Sequence, residues 1–356
     1  MAAVRLICSH IHLSRGLFAY KGAGKMVVRF PGILPNGGKV FGRYYAWPFL
    51  PIVGWGLSGF LFSCFSFSVF ARWLFSSEFA PVPLSAVDAM ALPSLLMLRG
   101  LEGGSLLIAL AALYVYLLRP WLETGRAPIT GLMLIGSLIS YVLDTSINFS
   151  DYYMAWNKHS FNMGTWGAFF PGHHGPTRYA EAWLWGPPMY MYFGVALASI
   201  QLLVFRRTRP QLGCYAALLL AFASAFVFDL LAEVAIIRFS EAYAWPYSIG
   251  ALSLWPGTQF QFPLYESLLV AIYASLYSWL SYSVRRDGIS FIERGVSELP
   301  LRLRPAARMF AATGFAALCT GVYFGGFYTF SQFADTRVVM PSYLMYSDGG
   351  WSISPR

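Results

Sequence analysis

Residues 226–266 read FVFDLLAEVAIIRFSEAYAWPYSIGALSLWPGTQFQFPLYE. The stretch starts in one apolar helix, crosses a loop rich in aromatics and proline, and ends in the first turn of the next helix. Three carboxylates, Asp229, Glu233 and Glu266, lie in or beside its apolar sequence. An acid at the centre of a membrane span costs about 2.5–3.5 kcal/mol on insertion scales, so intramembrane acids mark functional sites by default.

The surrounding composition supports this reading. The chain has 356 residues, 57% hydrophobic and only 12% charged, against roughly 25% charged in soluble domains. With a mean hydropathy of +0.54 and long apolar runs, it is expected to be an all-α, multi-pass transmembrane helical bundle. The net charge of +9 does not indicate nucleic acid, because the basic residues sit between the apolar runs, as membrane topology requires. No cysteine spacing or His cluster suits a metal, and no nucleotide-binding motif occurs, so no metal or cofactor is expected.

About seven spans are expected, near 47–74, 104–118, 129–147, 182–205, 212–239, 263–284 and 307–330. The 81–98 stretch is interrupted by Asp88, Pro93 and Arg99, and reads as an outer loop with a short helix. Residues 1–45 form a basic, Gly-rich tail, expected to be cytoplasmic, and Met26 is a plausible alternative start. Residues 46–331 form the membrane domain, with an aromatic-rich outer loop at 148–181, and 332–356 form a polar outer tail. With the N-terminus inside and the C-terminus outside, 18 of the 25 Lys and Arg residues fall on the inner side, as the positive-inside rule demands. The expected location is a bacterial cytoplasmic membrane.

This topology gathers the acids toward one side. Asp144 lies near the outer end of the third span, with Asn148 and Asp151 at i+4 and i+7 on the same face if the α-helix continues. Asp229 and Glu233 share a face of the fifth span. Glu266 opens the sixth, and Tyr273 and Tyr277 continue roughly its face. The aromatics from Tyr152 to Trp185 suit either a lid over an apolar cavity or an interfacial belt.

Several short elements, taken in order, resemble the AveC-like spirocyclase family. They are Arg119-Pro120-Trp121, Asp144-x3-Asn148, Phe161-Asn162-Met163-Gly164-x-Trp166, and Glu181 followed by Gly186-Pro187. Asp229-x3-Glu233-x4-Arg238 and Gln261-x-Pro263-x-Tyr265-Glu266 complete the set. The resemblance spans roughly residues 41–328. Ala180 and Ala182 flank Glu181 where the family pattern has prolines.

The resemblance implies a multi-pass cyclase that closes a dihydroxyketone to a spiroketal with loss of water. Glu233, Asp229, Glu266 and Asp144 are the expected catalytic acids and bases, with Glu233 the expected acid. Asn148, Asn162, Trp166, Glu181, Arg238, Tyr265 and Tyr273 are expected to contact substrate. The expected partners are a lipophilic polyketide or terpenoid-like substrate and membrane lipids. Two other readings use the same acids: a lipid-modifying isomerase or terpenoid cyclase, and a proton-coupled transporter of a lipophilic solute.

Overall fold

The computed structural model describes residues 50–345, and seven helices make up most of it. They are α1 (Leu50–Leu74), α2 (Leu92–Thr124), α3 (Ile129–Asn148), α4 (186–212), α5 (214–240), α6 (Leu264–Tyr282) and α7 (Arg304–Ser331). Five are long and apolar enough to cross a membrane, with the α4–α5 run Gly186–Ser240 counted as one. The basic tail of residues 1–45, the alternative start at Met26 and the last residues of the polar tail lie outside the described residues.

The second helix differs from the expectation. It starts at Leu92 rather than near Gly104, so Arg99 and Glu102 fall inside it. Proline in its first turn costs nothing, since the N–H it lacks would have no partner there. The two charges are tolerated because they neutralise each other. Arg99 pairs with Glu102 and donates to the His159 carbonyl at 2.6 Å, while Glu102 accepts the Phe161 N–H at 2.7 Å. Only the Ala86–Asp88 turn remains of the expected loop helix. Farther along, Pro120 has no N–H to give, and residues Tyr114–Leu118 loosen into a π turn just before it.

Gly213 separates α4 from α5. Its φ of 79° and ψ of 178° cannot continue a helix, and glycine adopts them without a Cβ clash. A straight helix would hold Leu197 and Ala225 about 42 Å apart. Instead both lie in one buried cluster with Val270, Ala271 and Ala274 of α6, so the chain doubles back near Gly213.

α3 is the central helix: 67% of its apolar window is buried, against 22% for α1. Met133, Leu134 and Phe315 form a core there with Tyr277. α1 crosses α7 at Gly59 and Gly314. A Cβ on Gly59 would sit 1.8 Å from the Phe310 carbonyl oxygen, so only glycine permits this approach.

The connections 149–185, 241–263 and 332–344 meet at one end of the bundle. Ala155–Trp156 pairs antiparallel with Tyr243–Ala244, and Tyr247–Ser248 with Thr336–Arg337. The Lys158 N–H also reaches the Tyr343 carbonyl at 2.8 Å. These short pairings satisfy backbone groups that burial would otherwise leave without partners.

Candidate active site

Beneath this loop-rich end, α3 to α7 enclose a cavity of about 70 Å³, several times the space one water needs. Each helix contributes polar groups for a local reason. α5 places Glu233 one turn beyond Asp229, so both acids face inward along one stripe. Glu266 sits in the first turn of α6, with Tyr273 two turns farther along the same wall. Thr320 and Tyr323 come from α7, and Asp144 from the end of α3.

The carboxyls form two groups. In one, Asp144 Oδ1 accepts the Tyr190 hydroxyl at 2.6 Å, and its carboxyl is within reach of that of Glu181. Glu181 also accepts from Tyr141 and Thr165, both at 3.2 Å. Glu181 lies in the 149–185 connection and is fully buried. Burial, reinforced by neighbouring Asp144, pushes its carboxyl well above the usual range. In the other group, Glu266 lies against Asp229 and near Glu233, and Oε1 of Glu266 accepts the Tyr323 hydroxyl at 3.1 Å. Two carboxyls can bond each other only by sharing a proton. The geometry therefore suits sites where one group holds a proton and its neighbour does not.

The cavity is also lined by Trp156, Trp185, Tyr243 and Trp245, whose rings pack on one another. Trp156 and Tyr243 are held facing inward because their backbones pair directly across the 149–185 and 241–263 connections. The 148–181 loop thus contributes to the cavity wall through Met154 and Trp156.

Of the residues expected from sequence, Asp144, Glu233, Glu266 and Tyr273 line the cavity. Asp229 lies behind Glu266, fully buried, and Glu181 behind Asp144. The others lie elsewhere. Asn148 bonds the backbone of Tyr153 and Met154, and Asn162 bonds the backbone of Val82, Lys158 and Ser160. Trp166 donates to the Val142 carbonyl at 2.7 Å and packs edge-on to Tyr141. Arg238 is exposed and lies over the Trp255 ring at 4.0 Å. Tyr265 stacks on Phe330.

The shared face of Asp144, Asn148 and Asp151 does not form. From Tyr141 the helix tightens to three residues per turn, so i+4 neighbours point about 120° apart. Asp144 enters the cavity, Asn148 turns to the loop, and Asp151 pairs with Arg337 at 2.9 Å.

Tyr190, Tyr323 and Thr320 were not expected in the site. Tyr190 and Tyr323 lie in apolar helical runs, where a tyrosine reads as core. Their only sequence signal is a hydroxyl that burial obliges to find a partner.

Residues 124–344 match the model of the family described as Spirocyclase AveC-like. The match starts later and ends later than the motif resemblance, and it leaves out α1 and nearly all of α2. No curated protein and no solved structure matches the chain. Every residue lining the cavity falls inside the matched segment, which is more than half of the sequence, and the chain belongs to the AveC-like spirocyclase family.

Proposed function

We propose that the protein is a membrane-embedded cyclase that closes a lipophilic dihydroxyketone, of polyketide or terpenoid-like type, to a spiroketal with loss of water. One observation carries the reading: carboxyls from α3, α5 and α6 converge on a single cavity that a cluster of aromatic rings also lines. The seven spans are read from the apolar runs, and the N-terminus inside from the charge distribution.

The chemistry needs two hydroxyl additions and one loss of water. Glu233, as the acid, protonates the ketone oxygen while the first substrate hydroxyl attacks the carbonyl carbon. That hydroxyl's proton passes to a carboxylate, with Glu266 placed to take it, leaving a hemiketal. A carboxyl then protonates the hemiketal hydroxyl, which departs as water, and the carbon becomes an oxocarbenium ion. The second hydroxyl attacks it and gives its proton to a carboxylate. Every borrowed proton is returned, so the carboxyls end as they began. Carboxylates and the aromatic rings of Trp156, Trp185 and Trp245 both favour a cationic centre in the cavity.

Glu233→Gln keeps size and hydrogen bonding but removes the transferable proton. With a dihydroxyketone substrate, the folded variant should bind ligand and lose about 10²–10⁴ in conversion rate. Unchanged conversion would reject Glu233 as the acid. Proton-driven uptake of an unaltered solute by the wild type, lost in the variant, would replace the cyclase with a transporter.

A further inference from the structure

A second depression lies outside the cavity, between residues 77–83 and the loop segments 164–165 and 177–178. Ser77, Ala80, Pro81 and Arg178 on its rim are exposed. At its floor is Thr165, whose hydroxyl donates to Oε1 of Glu181 at 3.2 Å. Glu181 lies against Asp144, and Asp144 lines the cavity. Oδ2 of Asp144 is buried and accepts no bond from a hydroxyl or amide donor among the described residues. Thr165, Glu181 and Asp144 therefore join surface water to the cavity through only three side chains.

We infer that this cleft is the proton port of the site, with Thr165, Glu181 and Asp144 as its relay. A hydronium ion in the cleft gives a proton to Thr165 Oγ1, becoming water, as the Thr165 hydroxyl gives its own proton to the Glu181 carboxylate. Glu181 then passes a proton to Oδ2 of Asp144. One proton enters from water for each one delivered, and the reverse sequence returns it. The groups facing the relay are Tyr141 and Tyr190, which donate to Glu181 and Asp144, and Tyr179, whose hydroxyl is 3.0 Å from that of Thr145. Among the described residues, no Lys, Arg or His forms an ion pair with Glu181 or Asp144. No fixed cation therefore holds the relay ionised, and a proton can rest on it. The port sets how fast the buried carboxyls regain their protons. It does not depend on which substrate is converted.

The test is deuterium exchange of the buried carboxylic acids in the full chain, reconstituted in phosphatidylcholine vesicles. It is read without substrate from the isotope shift of the infrared carbonyl bands after transfer to D₂O. Thr165→Val should slow exchange of the Glu181 and Asp144 bands, assigned with Glu181→Gln and Asp144→Asn, by about tenfold or more, a barrier increase of about 1.4 kcal/mol. Thr165→Ser should exchange like wild type. Ala80→Trp, on the exposed rim, should slow exchange by blocking the cleft, and it decides the matter if Thr165→Val does not fold. Wild-type exchange in both Thr165→Val and Ala80→Trp, or in Ala80→Trp when Thr165→Val does not fold, overturns the port. A protein with no cyclase activity but with this exchange pattern would lose the proposed reaction and keep the port.

Discussion

Tyr323 of α7 donates its hydroxyl to Oε1 of Glu266 on α6, 3.1 Å away, and both side chains line the cavity. This bond fixes one catalytic-candidate carboxyl from a helix whose sequence gives no polar warning. Tyr323→Phe leaves the ring and takes away the donor. Removing one partner of a buried hydrogen bond costs about 1–3 kcal/mol. Thermal unfolding in detergent should show that loss, and conversion of a dihydroxyketone should fall with it. A variant as stable and as active as wild type would show that Glu266 does not need Tyr323.

Asp229 should behave in the opposite way for stability. It is fully buried beside Glu266, and the two acids can bond only through a shared proton. Asp229→Asn supplies an amide donor without changing shape. Melting temperature should rise while conversion falls, the trade expected of a group kept for chemistry. A drop in melting temperature would instead make Asp229 a structural anchor.

Asp88 makes the cap acid-sensitive. Burial alone would push its carboxyl upward. Bonds from the Ser85 N–H and hydroxyl, from Ser342 and from Lys158 outweigh burial and hold it at about 2. The folded value is below the unfolded one, so this stabilisation is complete above the usual carboxyl range and is lost as pH falls toward 2. Limited proteolysis of the 81–91 segment should accelerate between about pH 4 and 2. Asp88→Asn should be cut readily at neutral pH and show no such step.

Glycine substitutions should separate contact from mere helix. A Cβ on Gly59 would collide with backbone of α7, whereas one on Gly54, in the same helix, meets nothing within 4 Å. Gly59→Ala should destabilise by about 1–3 kcal/mol or more through overpacking. Gly54→Ala should be neutral or gain about 0.5–1 kcal/mol. Chemical unfolding of the purified protein in detergent reads both.

Orientation can be checked by reporter fusions. With 18 of 25 Lys and Arg residues assigned inside, a fusion after Arg207 should report the inner side and one after Gly257 the outer side. The reverse result would invert the bundle and place the proton port on the inner face.

Helix positions were legible because long apolar runs leave few alternatives. The start of α2 was not, because Arg99 and Glu102 read as interruptions until their mutual pairing is seen. Asp229 and Glu233 could be paired from their i+4 spacing, and Glu266 placed beside them from helix direction. Asp144 was found, but Asn148 and Asp151 were grouped with it on the premise of 3.6 residues per turn, and the tightened end of α3 removes that premise. Asn162 and Trp166 belong to motifs that hold the cap together, and a motif alone does not separate a residue that touches substrate from one that shapes the loop. Tyr190 and Tyr323 stayed hidden because their partners are distant in sequence.

The cavity wall is collected from five helices and two connections, from Asp144 to Tyr323. Chains are made from the N-terminus onward, so α5 leaves the ribosome with Asp229 and Glu233 before Glu266 exists, and both precede Tyr323. A nascent chain stalled before α7 would present these acids with one side of their enclosure missing. Biogenesis should therefore depend on holding α5 and α6 near the insertion machinery until the last helix arrives. A C-terminal truncation ahead of Arg304 should be a substrate for membrane quality control rather than a smaller working protein.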